Sequence, residues 1–267
     1  MHYSNMNPAA MKGSLILLLS AACLLVTEGK SVKIIGGNET IPHSRPYMAL
    51  IIFETELEEM ICGGSLIRPS WILTAAHCQK LRSRVTVLLG AHSREENEKG
   101  IQRFRISKSI KHPQYNSSTL KNDLRLIKLR GVAKLGKTVQ LLPLPETFDD
   151  VDAGTVCETA GWGWTEEKTE ADSLREVNIT ILNREKCQKH WSHKVDITKN
   201  LLCTIVGPKG QDTCTGDSGG PLLCDGVFRG ITSFGENVCG RPNDASIFTR
   251  LTKEYITWIT STISQHT

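Results

Sequence analysis

The cysteines constrain the fold of this chain more than any other feature of its sequence. There are nine of them, and Cys23 lies inside an apolar run that extends from Leu15 to Val26 near the start. The remaining ones are Cys62, Cys78, Cys157, Cys187, Cys203, Cys214, Cys224 and Cys239. An even number of cysteines behind a secretory signal indicates disulfides formed in an oxidising compartment, although counting leaves roughly a hundred pairings open. Because no C-x-x-C pair occurs, a zinc site is not predicted.

The apolar run has the features of a secretory signal. It follows Lys12, it has the length of a signal's hydrophobic region, and it is short for a membrane span. Small residues at Ala21, Ala22 and Gly29 offer alternative cleavage points. We therefore predict a signal peptide over residues 1–29, with an N-terminal anchor or a buried helix as the alternative, and no membrane span later in the chain.

The charge balance excludes a typical nucleic-acid-binding protein. The chain carries 32 Lys and Arg against 28 Asp and Glu, and without residues 1–33, which hold three lysines and one glutamate, 29 remain against 27. Basic residues still cluster in two segments: Lys80, Arg82 and Arg84, then Arg103, Arg105, Lys108 and Lys111. These clusters are either solvated surface, which we favour, or a site for a polyanion such as a glycosaminoglycan. Sequons at Asn38, Asn116 and Asn178 are candidate glycosylation sites.

The rest of the chain is predicted to be all-β. Short runs rich in β-branched residues recur between turns that contain Gly and Pro, and this spacing is typical of a sandwich or barrel. The predicted strands are 67–74, 85–89, 124–129, 177–182 and 227–233. Two helices are predicted, one over 184–190 with Asn183 as its cap and a terminal one over roughly 252–263. No linker or internal repeat is evident, so one compact unit is expected.

Three short motifs carry the candidate chemistry. They are Thr74-Ala75-Ala76-His77-Cys78, then Asn122-Asp123-Leu124, then Gly216-Asp217-Ser218-Gly219-Gly220-Pro221. His77 and Asp123 are weak signals alone, because most single histidines and aspartates are solvated or structural. The third motif is a stronger signal, since glycines beside a serine allow a sharp turn that brings backbone N–H groups together.

The three motifs together match the needs of acyl transfer. A serine hydroxyl is a weak nucleophile, so it needs a neutral histidine within hydrogen-bond reach as a general base. The other ring nitrogen needs an acceptor, which a buried aspartate provides. We therefore predict that His77, Asp123 and Ser218 are catalytic, and that the N–H groups of Gly216 and Ser218 form an oxyanion hole.

On these motifs the chain resembles the chymotrypsin-fold serine proteases, from Ile34 to about Ile263. Further landmarks are Ile34-Ile35-Gly36-Gly37, Cys62-Gly63-Gly64-Ser65-Leu66, Gly161-Trp162-Gly163 and Ser233-Phe234-Gly235. The resemblance implies an all-β fold of two packed six-stranded antiparallel barrels with a C-terminal helix, and an active site between the barrels. It also implies the disulfides Cys62–Cys78, Cys157–Cys224, Cys187–Cys203 and Cys214–Cys239.

The resemblance further implies activation by cleavage. Residues 30–33 would be a pro-segment and residues 34–267 the protease domain. Cleavage after Lys33 would free the ammonium group of Ile34, which would pair with Asp217 inside the protein and set the oxyanion hole.

The implied substrate preference rests on the pocket residues. Asp212, six residues before Ser218, corresponds to the base of the primary pocket in trypsin-like members, which implies cleavage of protein substrates after Lys or Arg. Thr215, Ser233, Gly235 and Ser246 are the other implied substrate-binding residues. Gly235 leaves the pocket entrance open. Ser246 replaces a glycine common in relatives, and its side chain either narrows the pocket, bonds to Asp212, or is accommodated without effect.

Two acidic segments bear on cofactors and specificity. Ala91 follows Leu89-Gly90 where calcium-binding members have an acidic residue, so no metal or other cofactor is expected despite Glu95, Glu96 and Glu98.

Glutamates at positions 54, 56, 58 and 59 precede Cys62. They favour basic residues after the scissile bond.

Within the family, the chain is most similar to granzymes A and K, granule proteases of cytotoxic lymphocytes. The similar segments are 42–48, 89–93, 173–181 and 226–235. The similarity implies secretion or storage in granules, a role in cytotoxic or immune defence, and serpin-type inhibitors as partners. Granzyme A dimerises through an extra cysteine before its triad aspartate, whereas this chain has Tyr115 and Asn116 there, so a monomer is expected.

Two alternatives stay open. The first is a catalytically weak relative that acts by binding a polyanion or by signalling, against which the intact triad argues. The second is a digestive or plasma protease of the same family. The lack of accessory domains and of a calcium-binding acid argues against it.

Overall fold

The structure is a computed structural model that describes residues 34–94, 98–192 and 194–266. The predicted signal peptide (1–29) and pro-segment (30–33, with Lys33) lie outside the described residues, as do Glu95 and Glu96. The described ranges contain thirteen strands and two helices, which begin with the short strand β1 (Asn38–Glu39).

Six strands form the first barrel. They are β2 (Met48–Glu54), β3 (Glu59–Arg68), β4 (Trp71–Thr74), β5 (Arg84–Leu89), β6 (Gln102–Lys111) and β7 (Arg125–Leu129). Antiparallel pairing in the order β2-β3-β4-β7-β6-β5 closes the barrel, so no strand is left as a free edge. Its interior is filled by fully buried aliphatic side chains such as Ile51, Leu66 and Ile72.

Six further strands form the second barrel. They are β8 (Val156–Gly161), β9 (Arg175–Ile181), β10 (Leu201–Ile205), β11 (Pro221–Cys224), β12 (Val227–Phe234) and β13 (Ala245–Arg250). Their order is β8-β9-β10-β13-β12-β11, and β11 pairs with β8 to close the ring, while β1 adds to β9. The expected fold of two six-stranded antiparallel barrels is thus confirmed.

One predicted strand is wrong in its extent. The sequence favoured a continuous strand over 67–74, but β3 ends at Arg68 and β4 begins at Trp71. Pro69 and Ser70 turn the chain between them, and their carbonyls accept hydrogen bonds from Ala133 (2.7 Å) and Leu129 (2.9 Å). Proline cannot donate to a strand ladder, which explains the break.

Both predicted helices are present. Helix α1 (Arg184–Trp191) begins after Asn183, whose side chain accepts from the N–H groups of Glu185 and Lys186, as a helix cap does. Helix α2 (Lys253–Gln265) begins one residue later than predicted, because Thr252 is its cap. Its buried residues Tyr255 and Ile259 pack into the core of the first barrel. Neither helix of the described ranges is long and apolar enough to cross a membrane.

Four disulfides pair the cysteines as the resemblance implies, namely Cys62–Cys78, Cys157–Cys224, Cys187–Cys203 and Cys214–Cys239. Closing a loop of about 15 residues stabilises a fold by about 3 kcal/mol in the chain-entropy account. Two of these bridges span 16 residues. The Cys214–Cys239 bridge fixes the segment that precedes Ser218.

The two barrels share a buried apolar boundary. Leu50, Ile61 and Leu88 of the first barrel belong to one cluster with Trp162 and Leu174, which come from the second half of the chain. Burying a side chain of leucine size contributes about 1.5–3 kcal/mol, so this cluster holds the barrels together. The residues predicted to be catalytic come from both sides of this boundary.

Candidate active site

Strand register brings His77 and Asp123 together. Strands β4 and β7 pair with Thr74 opposite Arg125, so the residues that follow β4 meet the residues that precede β7. Asp123 Oδ1 accepts from the backbone N–H of His77 at 2.8 Å, and Oδ2 accepts from the ring Nδ1 at 2.7 Å. Asp123 is fully buried, whereas the His77 side chain is 26% exposed. Among the described residues, the other ring nitrogen, Nε2, has no hydrogen-bond partner.

A third donor to Asp123 comes from the second barrel. The Ser233 hydroxyl donates to Asp123 Oδ2 at 2.5 Å. Ser233 was predicted as a substrate-binding residue, and it does border the cavity beside Ser218. Its hydroxyl, however, is held by the carboxylate. No local sequence signal shows this contact, because the two residues are 110 positions apart.

Ser218 lies in a turn that glycines make possible. Gly216 and Gly219 have φ of +97° and +82°, a backbone conformation that side chains with a Cβ rarely adopt. A Cβ on Gly219 would also lie 2.5 Å from the carbonyl oxygen of Gly63. The Gly63 N–H donates to the Ser218 carbonyl at 2.8 Å, so strand β3 supports the turn.

The turn leaves two backbone donors unused. The N–H groups of Gly216 and Ser218 have no acceptor among the described residues. Within the same residues, no hydrogen bond joins the Ser218 hydroxyl to the His77 ring. Such catalytic contacts are often long before substrate binds and shorten in the complex. The arrangement can therefore supply a nucleophile, a base and two oxyanion donors.

Asp212 lines the cavity beside Ser218, which has a volume of about 260 Å³. It is 5% exposed. Its Oδ1 accepts from Ser246 Oγ at 2.6 Å and Thr213 N–H at 2.8 Å, and its Oδ2 accepts from Gly240 N–H at 3.0 Å. Burial raises the pKa of Asp212, although these hydrogen bonds oppose the shift. A buried carboxylate therefore lines the cavity, and a cationic side chain there would stabilise its charged form.

The other predicted pocket residues border the same cavity. Thr215, Gly235 and Ser246 all line it. A Cβ on Gly235 would lie 3.0 Å from Ser246 Oγ, so these two residues already approach each other across the pocket. The hydrogen-bonding alternative for Ser246 is the one that the structure contains, and its hydroxymethyl group also narrows the cavity.

Asp217 is buried behind the turn, with 1% of its surface exposed. Its carboxylate accepts from Gly163 N–H at 2.8 Å and Cys214 N–H at 2.9 Å. Burial raises the pKa of Asp217 to about 7 against the effect of these two bonds. A Cβ on Gly163 would lie 2.5 Å from the carboxyl carbon, which explains the glycine at that position.

The segment that starts at Ile34 already lies inside the protein. The Ile34 side chain is fully buried in the core of the second barrel. The Ile35 carbonyl accepts from Asp212 N–H at 3.1 Å, and Gly36 N–H donates to Glu166 Oε1 at 2.7 Å. The segment is therefore hydrogen-bonded directly to the backbone at the base of the pocket.

Ion pairs change the expected charge of the acidic segment before Cys62. Glu54 lies 3.7 Å from Arg84, Glu59 lies 3.0 Å from Arg94, and Glu58 pairs with Lys80. The hypothesis of a preference for basic residues after the scissile bond rests on the four glutamates of this segment. Three of them have cationic partners, so this segment is less negative than expected.

A second acidic residue at the cavity was missed by sequence reasoning. Glu236 lines the cavity and accepts from Lys194 Nζ at 2.8 Å, and His190 Nε2 lies 3.2 Å away. The hydrogen bond from Lys194 is the main cause of the lowered pKa of Glu236. Lys194 follows α1 in the chain, 42 positions before Glu236, so no local pattern could show the pair.

The described residues contain no cluster of three or more His, Cys, Asp or Glu side chains that could hold a metal ion. Glu98, part of the acidic segment after Ala91, accepts from the N–H groups of His92 and Ser93. Because Glu95 and Glu96 lie outside the described residues, the absence of a calcium site stays a prediction.

Comparison with known proteins agrees with this geometry. The family described as Trypsin matches residues 34–259. Granzyme A of Bos taurus is 44% identical over 253 residues, which cover 91% of this chain and 95% of the relative. Mast cell protease 3 of Ovis aries is 39% identical and covers 94% and 98% of the two chains. The solved structure of neuropsin, a serine protease expressed in the limbic system of mouse brain, has a TM-score of 0.75 at 35% identity and covers 85% and 98%.

The chain therefore belongs to the trypsin family of chymotrypsin-fold serine proteases. It is a serine endopeptidase with granzyme and kallikrein relatives.

Proposed function

We propose that this endopeptidase cleaves proteins after Lys or Arg, with a preference for Lys. The observation that carries the proposal is the buried Asp212 carboxylate at the base of the cavity that Ser218 borders. Burial disfavours the ionised form of Asp212, and a cation that enters the cavity would stabilise that form. A charge-assisted hydrogen bond is about twice as strong as a neutral one. An apolar or acidic side chain would leave that carboxylate unpaired.

The preference for Lys follows from the hydrogen bonds of Asp212. Its two oxygens already accept three hydrogen bonds, two of them on Oδ1. A guanidinium group binds a carboxylate best through both oxygens at once, whereas an ammonium group needs one free lone pair. Ser246 also takes up space that a guanidinium group would need. The pocket therefore suits Lys better than Arg.

The proposed chemistry is acyl transfer through a covalent intermediate. Ser218 Oγ attacks the scissile carbonyl carbon while His77 Nε2 takes the hydroxyl proton, and the N–H groups of Gly216 and Ser218 bind the developing oxyanion. His77 then gives the proton to the leaving amine, and water hydrolyses the acyl-enzyme by the same route. Asp123 holds the ring with Nδ1 protonated and stabilises the imidazolium ion.

Activation is proposed to follow removal of residues 1–33. Cleavage after Lys33 would give Ile34 an ammonium group within a segment that is already buried and bonded to the pocket. A buried carboxylate without a cation is costly, and Asp217 is such a group among the described residues. Pairing of the two charges would stabilise the turn that carries Gly216 and Ser218.

The biological setting is proposed by similarity alone. Similarity to granzyme A and mast cell protease 3 supports secretion or granule storage, a role in cytotoxic or immune defence, and serpin-type inhibitors. The dimer cysteine of granzyme A has no counterpart at Tyr115 and Asn116, which supports a monomer. A polyanionic glycan is proposed as a further partner.

The test is amide hydrolysis by the protein cut after Lys33, with matched peptides that end in Lys, Arg, Phe or Asp. We expect hydrolysis of the Lys and Arg peptides only, faster for Lys, and none by Ser218→Ala. The Asp212→Asn variant should keep its fold and lose the basic preference. Hydrolysis of the Phe peptide at the rate of the Lys peptide would overturn the proposed specificity.

A further inference from the structure

Asp123 is the middle residue of a sharp three-residue turn. The N–H of Leu124 donates to the carbonyl of Asn122 at 2.8 Å, which is the hydrogen bond of such a turn. Asn122 has a φ of +58°, in a left-handed region that asparagine enters more readily than most residues but still at a cost. Backbone strain of this kind persists only where surrounding contacts hold it in place. The direction of the Asp123 side chain therefore depends on the contacts of Asn122 and Leu124.

The side chain of Asn122 is held on both of its polar atoms. Oδ1 accepts from the Tyr255 hydroxyl at 2.8 Å, and Nδ2 donates to the Gln114 carbonyl at 2.8 Å. The Tyr255 hydroxyl also accepts from Asn200 Nδ2, at 3.2 Å. Because the Asn122 amide is bonded on both sides, it cannot turn without losing a hydrogen bond. These contacts therefore fix the backbone that precedes Asp123.

Tyr255 also supports the residue that follows Asp123, through His112. The His112 N–H donates to the Leu124 carbonyl at 2.9 Å. The rings of His112 and Tyr255 pack edge to face, with centroids 5.5 Å apart and planes at 81°, a geometry that aromatic pairs favour. A single tyrosine thus contacts the supports of both residues that flank Asp123.

Tyr255 is itself firmly placed. It lies in the first turn of α2, is 1% exposed and packs into the core of the first barrel. The described residues that line the cavity beside Ser218 include neither Tyr255 nor Asn122. Tyr255 and Asn122 are 133 positions apart, so the motif around Asp123 gives no sign of their contact. An effect of Tyr255 on catalysis would then act through Asp123 and not through the pocket.

We propose that Tyr255 and Asn122 are positioning residues that hold Asp123 in register with His77. The proposal rests on the proposed catalytic role of His77 and Asp123. The carboxylate binds His77 through both of its oxygens, at 2.8 and 2.7 Å, and this two-point contact requires one orientation. Without the Tyr255 hydroxyl, Asn122 Oδ1 loses its donor and the strained turn can relax. Misplacement by about 1 Å can lower the rate of an enzyme by about 100-fold.

The experiment measures kcat and KM for hydrolysis of a Lys peptide by the protein cut after Lys33. Tyr255→Phe removes one hydroxyl group and is made alone and together with Asp123→Asn. Asn122→Gly keeps the left-handed backbone without steric cost but removes the side chain that Tyr255 binds. Tyr47→Phe is the matched control, because Tyr47 is another tyrosine that packs against the core of the first barrel. Denaturant unfolding of each variant reports separately on stability.

We expect Tyr255→Phe to lower kcat by about tenfold, the size of one hydrogen bond, with KM nearly unchanged. Asn122→Gly should lose at least as much, and Tyr47→Phe should keep the wild-type kcat. In combination with Asp123→Asn, the Tyr255 substitution should have little further effect, because residues that act as a unit do not contribute additively.

Two results would overturn the proposal. The first is a kcat for Tyr255→Phe equal to that of the wild type. The second is an equal loss of kcat with and without Asp123→Asn, because Tyr255 would then act independently of Asp123, as a residue of general structural importance does. Failure of the proposed function is distinguishable, because the cleaved wild type would then be inactive or unaffected by Asp123→Asn. The positioning role would fall with it.

Discussion

Asp123, a proposed catalytic residue, and Asp217, which directly precedes Ser218, are both buried, but their surroundings differ. Asp123 accepts three hydrogen bonds, and one donor is the His77 ring, which can carry a positive charge. Asp217 accepts two hydrogen bonds, both from backbone N–H groups. Both carboxylates are almost completely buried, and burial raises the pKa of Asp217 to about 7.

Under the proposed activation, the difference separates the part of the machinery that folding completes from the part that cleavage completes. The Asp123 carboxylate already accepts hydrogen bonds from His77 and Ser233 in the uncleaved chain. Among the described residues, no cation contacts the Asp217 carboxylate. The missing side chain of Gly163 leaves room for this carboxylate. In this account, the base is assembled by folding, whereas the Asp217 region is completed by the new ammonium group.

The largest effect is expected at the His77–Asp123 pair. Asp123→Asn keeps the size of the side chain but favours the wrong tautomer of His77, and this lowers kcat by about 10⁴ in a protease of the same fold. Ser233→Ala removes one donor to the same carboxylate and should lower kcat far less. Steady-state kinetics on a Lys peptide measure both. Equal losses would mean that Asp123 acts through Ser233 rather than through His77.

Around Asp217, the main expected effect is a pH dependence of the stability of the uncleaved chain. The folded-state pKa of Asp217 is raised to about 7 from an ordinary 3.8, so the folded chain holds this proton more tightly than the unfolded chain. The contribution of Asp217 to the free energy of unfolding is therefore greatest below pH 4. It falls by about 4 kcal/mol as the pH rises to about 7. Denaturant unfolding at several pH values measures the loss.

The matched control is Asp217→Asn, also uncleaved. This variant has no charge to bury and should lack that part of the pH dependence. After cleavage, the wild-type chain should lose the same dependence, because the ammonium group stabilises the ionised carboxylate. Identical pH profiles for the uncleaved wild type and the variant would contradict the account of Asp217.

A smaller effect is expected at the base of the pocket. Ser246→Gly removes one of the two hydrogen bonds that Asp212 Oδ1 accepts and widens the cavity. The kcat/KM for Arg peptides should therefore rise relative to Lys peptides by about tenfold, the size of one hydrogen bond. Ser246→Ala removes the hydroxyl but keeps the Cβ. If both variants shift the ratio equally, the hydrogen bond is the cause; if neither does, the proposed preference for Lys lacks this basis.

The smallest effect is expected at Glu166. Its hydrogen bond to Gly36 N–H is exposed, so Glu166→Ala should lower the activity of the cleaved enzyme by only about threefold. Glu167→Ala, a neighbouring exposed glutamate, is the control. Raising the pH should deepen the defect only in the first variant, because a poorly held ammonium group loses its proton sooner.

Sequence reasoning was most successful where a short motif determines the local structure. The cap of α1 at Asn183, the glycines around Ser218 and the disulfide pairing implied by the family resemblance all agree with the structure. The failures have a common cause. The Ser233–Asp123 bond and the Glu236–Lys194 pair join residues far apart in the chain, so only the folded strands bring them together.

Charge was the hardest property to predict. The glutamates before Cys62 looked like an open acidic patch, but Arg84, Lys80 and Arg94 neutralise three of them. The basic clusters looked alike in sequence, but Lys80 and Arg84 have glutamate partners. Among the described residues, no carboxylate forms an ion pair with Arg103, Arg105, Lys108 or Lys111. Which charged side chains neutralise each other depends on which strands become neighbours in the fold. The order of residues along the chain does not contain that information.

The most direct test compares one preparation before and after cleavage after Lys33. Hydrolysis of a Lys peptide should rise by at least about 100-fold on cleavage, the size of one oxyanion-hole donor, with Ser218→Ala inactive in both forms. Equal activity before and after cleavage would contradict the account, because it would mean that the region around Asp217 needs no ammonium group to support catalysis.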